Sequence, residues 1–143
     1  TSGITVTSDM AFKSGYATLS NLVNGSNGSD TYFDTGGELV AGKYILLDFG
    51  EDNEIAVKGF QFTGSANTAI GTFKLQMSQT DPSGPFLDIS DDIALTLNTV
   101  YSFNPSMLAG RYLRLLGVSG TSSSSPWLWE IKLVGFRTKG SEY

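Results

Sequence analysis

The chain has 143 residues, no cysteine, no histidine and a net charge of −5 from 14 acidic and 9 basic residues. That length fits one domain able to bury a core without covalent staples. The missing residue types exclude disulfides, thiolate metal sites, cysteine nucleophiles, the usual zinc ligand and the commonest general base.

In chain order the apolar pattern has a period of two rather than 3.6, the mark of strands. Residues 4–7 form the first expected strand, and 16–23 hint at one helical turn through Leu19, Leu22 and Val23. Tyr44-Ile45-Leu46-Leu47-Asp48-Phe49 reads as a buried strand. Residues 55–63 alternate from Lys58 onward, and 72–78 alternate cleanly with Phe73, Leu75 and Met77 inward. Further strands are expected at 86–89, 100–103, 111–116 and 127–136. Turn residues separate them: Gly36-Gly37, residues 50–53, residues 81–85 and Asn104-Pro105. Many short strands between turn signals predict an all-β sandwich of one domain, 1–143, with no internal repeat. Residues 121–125 form a polar stretch, and 137–143 are expected to be a tail.

Two segments carry chemistry. Asn21-Leu22-Val23-Asn24-Gly25-Ser26-Asn27-Gly28-Ser29-Asp30-Thr31-Tyr32-Phe33 is an oxygen-rich loop closed by aromatics. Pro126-Trp127-Leu128-Trp129-Glu130-Ile131-Lys132-Leu133-Val134-Gly135-Phe136 is an apolar strand bearing one carboxylate. An acid on such a strand is costly unless something pairs it. The loop supplies hard oxygens suited to Ca²⁺, so the two segments are expected to meet. The alternative is a Ser/Asn/Gly turn closed by its own hydrogen bonds, with Glu130 exposed at an edge.

Four stretches, in order, resemble the discoidin-like family, also called coagulation-factor C-type domains, which includes family 32 carbohydrate-binding modules. Asn24-Gly25 with Thr31-Tyr32-Phe33 resembles its Asp-Gly and Thr-x-Trp loop, with Asn24 for Asp, Phe33 for Trp and about two extra residues. Ile45-Leu46-Leu47-Asp48-Phe49-Gly50 resembles its Asp-Leu-Gly strand end. Gly110-Arg111-Tyr112-Leu113-Arg114-Leu115 and Trp129-Glu130-Ile131-Lys132-Leu133-Val134-Gly135 resemble its two closing strands. The likeness covers roughly residues 10–136 and implies a galactose-binding-like jelly-roll β-sandwich. It also implies a structural Ca²⁺ held by the Asn21 and Trp129 carbonyls, the Asn24 side chain, oxygens of Asn27, Asp30 and Thr31, and the Glu130 carboxylate.

A sugar site needs an aromatic platform and planar polar groups. Tyr32, Phe86, Tyr101 and Trp127 are the loop aromatics. Tyr32 and Trp127 are the candidate platforms, although Trp127 and Trp129 share the parity of Ile131 and Leu133 and fit the core equally well. Asn67 and Arg111 are candidate hydrogen-bonding partners. The acidic runs Asp48, Glu51, Asp52, Glu54 and Asp88, Asp91, Asp92 lie in turn sequence, where solvated carboxylates are ordinary. No Ser–Lys motif is present, and no enzyme activity is expected.

The resemblance therefore implies non-catalytic binding of a cell-surface or polymeric glycan by an accessory module of a larger extracellular, cell-surface or phage-tail (virion-associated) protein, beside neighbouring domains. A structural or protein-interaction module without a sugar ligand is the alternative. Arg111, Arg114 and Arg137 are the only arginines, so nucleic acid and anionic membrane are not expected partners. No apolar run is long enough to span a bilayer. Residues 1–20 lack the pattern of a secretory leader, and an opening at Thr1 rather than Met reads as an excised domain.

Overall fold

The computed structural model describes residues 3–9, 19–23, 31–32, 41–64, 72–94, 98–102, 108–119 and 127–139, with backbone alone for 21, 31–32, 64 and 127–129. The strands are β1 (Thr5–Ser8), β2 (Thr31–Tyr32), β3 (Tyr44–Asp48), β4 (Glu54–Gly64), β5 (Thr72–Ser78), β6 (Leu87–Asp88), β7 (Ile93–Ala94), β8 (Tyr101–Ser102), β9 (Tyr112–Ser119) and β10 (Trp127–Lys139). A 3-10 helix, Leu19–Val23, follows β1. One antiparallel sheet has the order β1-β3-β9-β5-β6, with β7 also on β5. The other has the order β2-β10-β4-β8. The molecule is therefore the all-β sandwich that the period-two pattern predicts. No helix among the described residues is long and apolar enough to cross a membrane.

The alternation sets the layers. Phe73, Leu75 and Met77 of β5 are buried, as are Ile45 and Leu47 of β3 and Leu113 and Leu115 of β9. They face Val57, Phe60 and Phe62 of β4 and Ile131 of β10. Phe60, Phe62 and Phe73 form a fully buried triangle of edge-on rings across the two sheets, with centroids 5.4 to 6.1 Å apart. Tyr101 stacks on Phe60 at 5.2 Å and its hydroxyl donates to the Ala94 carbonyl at 3.0 Å, which ties β8 to β7.

Two differences from expectation concern the shortest strands and the last one. β2 and β7 were not anticipated, because a two-residue strand has no period and exists only through its partner. β10 continues past Phe136, so that residues 137–139, expected as tail, extend the ladder through Arg137↔Ile55 and Lys139↔Glu54. Its register shifts between Leu128 and Glu130, between Val134 and Gly135, and between Arg137 and Lys139.

The second shift explains Gly135. A Cβ there would stand 2.4 Å from the Ala56 carbonyl oxygen, so only glycine allows β10 this close to β4. Beside it a mostly apolar hollow of about 310 Å³ opens at the end of the sandwich, lined by Ile4, Phe49, Ile55, Leu133, Gly135, Phe136 and Arg137. At the same end the expected turn at residues 50–53 closes through Asn53 N–H to the Gly50 carbonyl at 3.2 Å. Gly50 sits there at φ 98, a conformation that costs glycine little.

Phe60→Ala is expected to lower unfolding free energy by about 3–5 kcal/mol, since it removes the ring shared by both sheets. Phe136→Ala, at 50% exposure, should cost far less. Equal costs in urea denaturation would refute this core assignment.

Candidate functional site

The loop and the closing strand meet at one end of the sandwich. β2 pairs with the start of β10 through Thr31↔Leu128 and Tyr32↔Trp127. The 3-10 helix, which contains Asn21, packs against β10, β1 and β2. The backbone thus gathers Asn21, Thr31, Tyr32, Trp127, Trp129 and Glu130 at this loop end. Asn24, Asn27 and Asp30 lie outside the described residues. So does Asn67, which belongs to the connection between Gly64 and Thr72. Among the described residues no three acidic or other metal-ligating side chains are grouped to hold an ion.

Glu130 is buried, with 4% exposure, so it does not stand exposed at an edge. It pairs in register with Thr63, itself 5% exposed, whose Oγ1 donates to the Glu130 carbonyl at 3.5 Å. Ile131 beside it belongs to the core. The bulge between Leu128 and Glu130 inserts Trp129 as an extra residue opposite β4. The parity that Trp127 and Trp129 share with Ile131 in sequence does not carry across that bulge.

Arg111 stands at the other end. Ile55, near the start of β4, bridges Gly110, whereas Gly64, at its end, faces Leu128. The eleven residues of β4 put roughly 30 Å between Arg111 and the loop end. Arg111 Nε and Nη2 donate to the two Asp48 oxygens at 2.7 and 3.0 Å, and its guanidinium lies 4.9 Å from the Tyr112 ring centroid. Gly50 N–H donates to the same carboxylate at 2.9 Å. Burial pushes the Asp48 carboxyl up, but the Arg111 hydrogen bonds, the Gly50 N–H and the Arg111 charge outweigh it and hold the group below its usual value. The structure therefore brings Arg111 together with Asp48, not with Tyr32 or Trp127.

The acidic runs are similarly engaged. Lys139 lies 3.7 Å from Asp52 on an exposed rim. Asp88 accepts from Gln76 Nε2 at 2.7 Å and from Lys74 at 3.1 Å, and these hydrogen bonds hold it below its usual value. A glycosidase acid needs the opposite shift.

Asp88 belongs to a cluster that the sequence reading passed over. Gln76 Oε1 accepts from Arg114 Nε at 2.9 Å and from Arg114 Nη2 at 2.5 Å. The Arg114 guanidinium lies 3.8 Å from the Phe86 ring centroid and 5.9 Å from that of Tyr44. The alternation within 72–78 already put Lys74 and Gln76 on the outer face. Which strands lie beside β5 was not readable, because register is a tertiary property.

No protein-family model matches the chain, and no curated protein matches it in sequence. Solved structures do match its shape. The C-terminal domain of a chitobiase from Bacteroides fragilis superposes with a TM-score of 0.74 at 13% identity, over 96% of each chain. The family 32 carbohydrate-binding module of C. perfringens NanJ, solved with galactose, gives 0.66 at 11% identity, over 92% of this chain and 93% of that one. The chain has a discoidin-like fold, that of family 32 carbohydrate-binding modules. Truncated AlyQ, which carries such a module and an alginate lyase domain, matches this chain at a TM-score of 0.61 and 19% identity, over 96% of this chain and 32% of that one. The arrangement of two antiparallel sheets therefore follows this fold.

The Asp48 carboxyl sets a pH dependence. Its folded value is lowered, so its stabilisation is complete above the unfolded value of about 3.9 and is lost as pH falls through the folded one. Asp48→Asn should melt below the parent at neutral pH, and the gap should narrow on acidification below about pH 4. A gap independent of pH in thermal melts would overturn the assignment.

Proposed function

We propose that the chain is a non-catalytic carbohydrate-binding module that attaches a larger extracellular, cell-surface or phage-tail protein to a glycan surface. The observation that carries this reading is the match, over more than nine-tenths of both chains, to a family 32 module solved with galactose. Pairing of Tyr32 with Trp127 at the loop end supports it, since it sets two aromatic residues opposite each other in register. Calcium is the proposed structural ion, with Asn21, Asn24, Asn27, Asp30, Thr31, Trp129 and Glu130 as its ligands. Glu130 supports this by setting a carboxylate, the hard oxygen donor that Ca²⁺ favours, on the strand that pairs with the early loop end. Bound there, the ion would tie the early loop to the closing strand.

One observation favours the second reading, a module that packs on neighbouring domains without a sugar. Val134 and Phe136 are 47% and 50% exposed beside the apolar hollow. That surface lies at the end away from Tyr32 and Trp127, so the two readings make separable demands.

A glycan array probed with and without calcium tests the first. A single shallow site is expected to bind in the millimolar to micromolar range, about 4–8 kcal/mol. Trp127→Ala or Tyr32→Ala should abolish binding with little change in melting temperature. Unfolding by Trp127→Ala would make that residue core, and absence of any glycan ligand would leave the packing reading.

Chelator should lower the melting temperature, and Ca²⁺ but not equal Mg²⁺ should restore it. A hundredfold excess over the dissociation constant is worth about 2.7 kcal/mol. Glu130→Gln should remove most of that response. A melting temperature indifferent to chelator would exclude the ion.

A further inference from the structure

The outer face of the six-stranded sheet carries a row of polar side chains in register. Arg114 of β9 faces Gln76 of β5, and Gln76 faces Asp88 of β6. Each is held by the next. Two Arg114 nitrogens meet one Gln76 oxygen, the Gln76 amide meets one Asp88 oxygen, and Lys74 meets the other. Tyr44 of β3, whose neighbour across the ladder is Leu116 of β9, closes the row on one side. Phe86, just before β6, stacks on the Arg114 guanidinium.

The row is open at its rim, while Gln76 at its centre is 7% exposed and braces its neighbours from beneath. The Asp88 and Lys74 side chains are 53% and 26% exposed, and Arg114, Phe86 and Tyr44 are all partly exposed. Arg114 spends Nε and Nη2 on Gln76, while Nη1 makes no hydrogen bond among the described residues. Planar guanidinium and carboxylate groups, fixed by the Gln76 amide before a ligand arrives and flanked by two rings, match neighbouring hydroxyls and the apolar face of a sugar ring. Fixing them in advance lowers the ordering cost of binding. From β3 to β6 the row crosses three strand spacings, about 14 Å, which suits an oligosaccharide lying across the strands better than one sugar. The charges of Lys74 and Arg114 are partly offset by Asp88, so an uncharged glycan meets no strong field.

We propose that this face is a second glycan site, separate from the loop end, that holds a chain of uncharged sugars through Asp88, Arg114, Phe86 and Tyr44, with Gln76 as the residue that positions Asp88 and Arg114. The proposal rests on the carbohydrate-binding reading above.

The test is an NMR titration of the ¹⁵N-labelled chain with hexasaccharides of N-acetylglucosamine and of galactose, and with free galactose. With at least one hexasaccharide, the Gln76 side-chain NH₂ and Arg114 Nε–H signals should move together with the Phe86 backbone amide. With free galactose they should stay still. Asp88→Asn, at a mostly exposed position, should keep the melting temperature and weaken that response at least fivefold, while leaving shifts at residues 127–130 unchanged. Arg114→Lys, which keeps the charge and loses the plane, should act the same way. If the hexasaccharides move only signals at the loop end, the second site is overturned and the module reading stands. If neither hexasaccharide nor galactose moves any signal, both fall.

Discussion

The antiparallel pairing of β4 with β10 is the constraint on which the rest depends. It runs from Leu128↔Gly64 to Lys139↔Glu54 and joins the middle of the chain to its end. It sets Ile131 opposite Phe62 and Leu133 opposite Phe60, so one sheet presents a continuous apolar face to Phe73, Leu75 and Leu115. A slip of one residue would turn that face to solvent, which is why the register is strongly specified. The same ladder holds β2 at one end and approaches Gly110 at the other through Ile55. Its bulges decide where the alternation changes phase, and so which residues of the closing strand share a face.

The second sheet has its own fastening. Asp48 and Arg111 join the end of β3 to the start of β9, and Phe49 N–H donates to the Arg111 carbonyl beside them at 3.0 Å. Both side chains are 28% exposed, so the attraction is partly screened and its contribution to stability modest. Its larger effect is geometric. A bidentate guanidinium–carboxylate pair fixes orientation as well as distance, and so sets the crossing of two strands. Two of the sequence stretches that carry the family resemblance are joined here, and the other two are joined at β2 and β10.

The ends of the sandwich and its faces are thereby given different chemistry. The loop end collects aromatic and oxygen-bearing residues. The opposite end is apolar at its centre and charged at its rim, with Arg111 bound to Asp48. The outer face of the larger sheet carries the polar row from Arg114 to Asp88. A fold of this kind supports many ligands on one framework, so its ligand is argued from these surfaces and not from the framework.

The alternation of apolar residues was enough to determine the sandwich, because burying a face at every second residue is a local property of each strand. Strand 72–78 was legible to the residue, and the meeting of loop and closing strand was expected from an acid on an apolar strand and an oxygen-rich loop. The neighbours of each strand were not legible. Arg111 and Trp127 both looked like ligand residues in sequence, yet β4 separates them by its whole length. Trp127 and Ile131 shared parity on paper, yet the bulge at Trp129 breaks it. Arg114, Gln76 and Asp88 gave no signal as a group, since they are 12 to 38 residues apart and meet only through register. The sequence by itself determined the alternation within each regular strand and which chemistry the chain carries. Only the tertiary structure decided which side chains stand together, because register and bulges arise from pairing between strands and not within them.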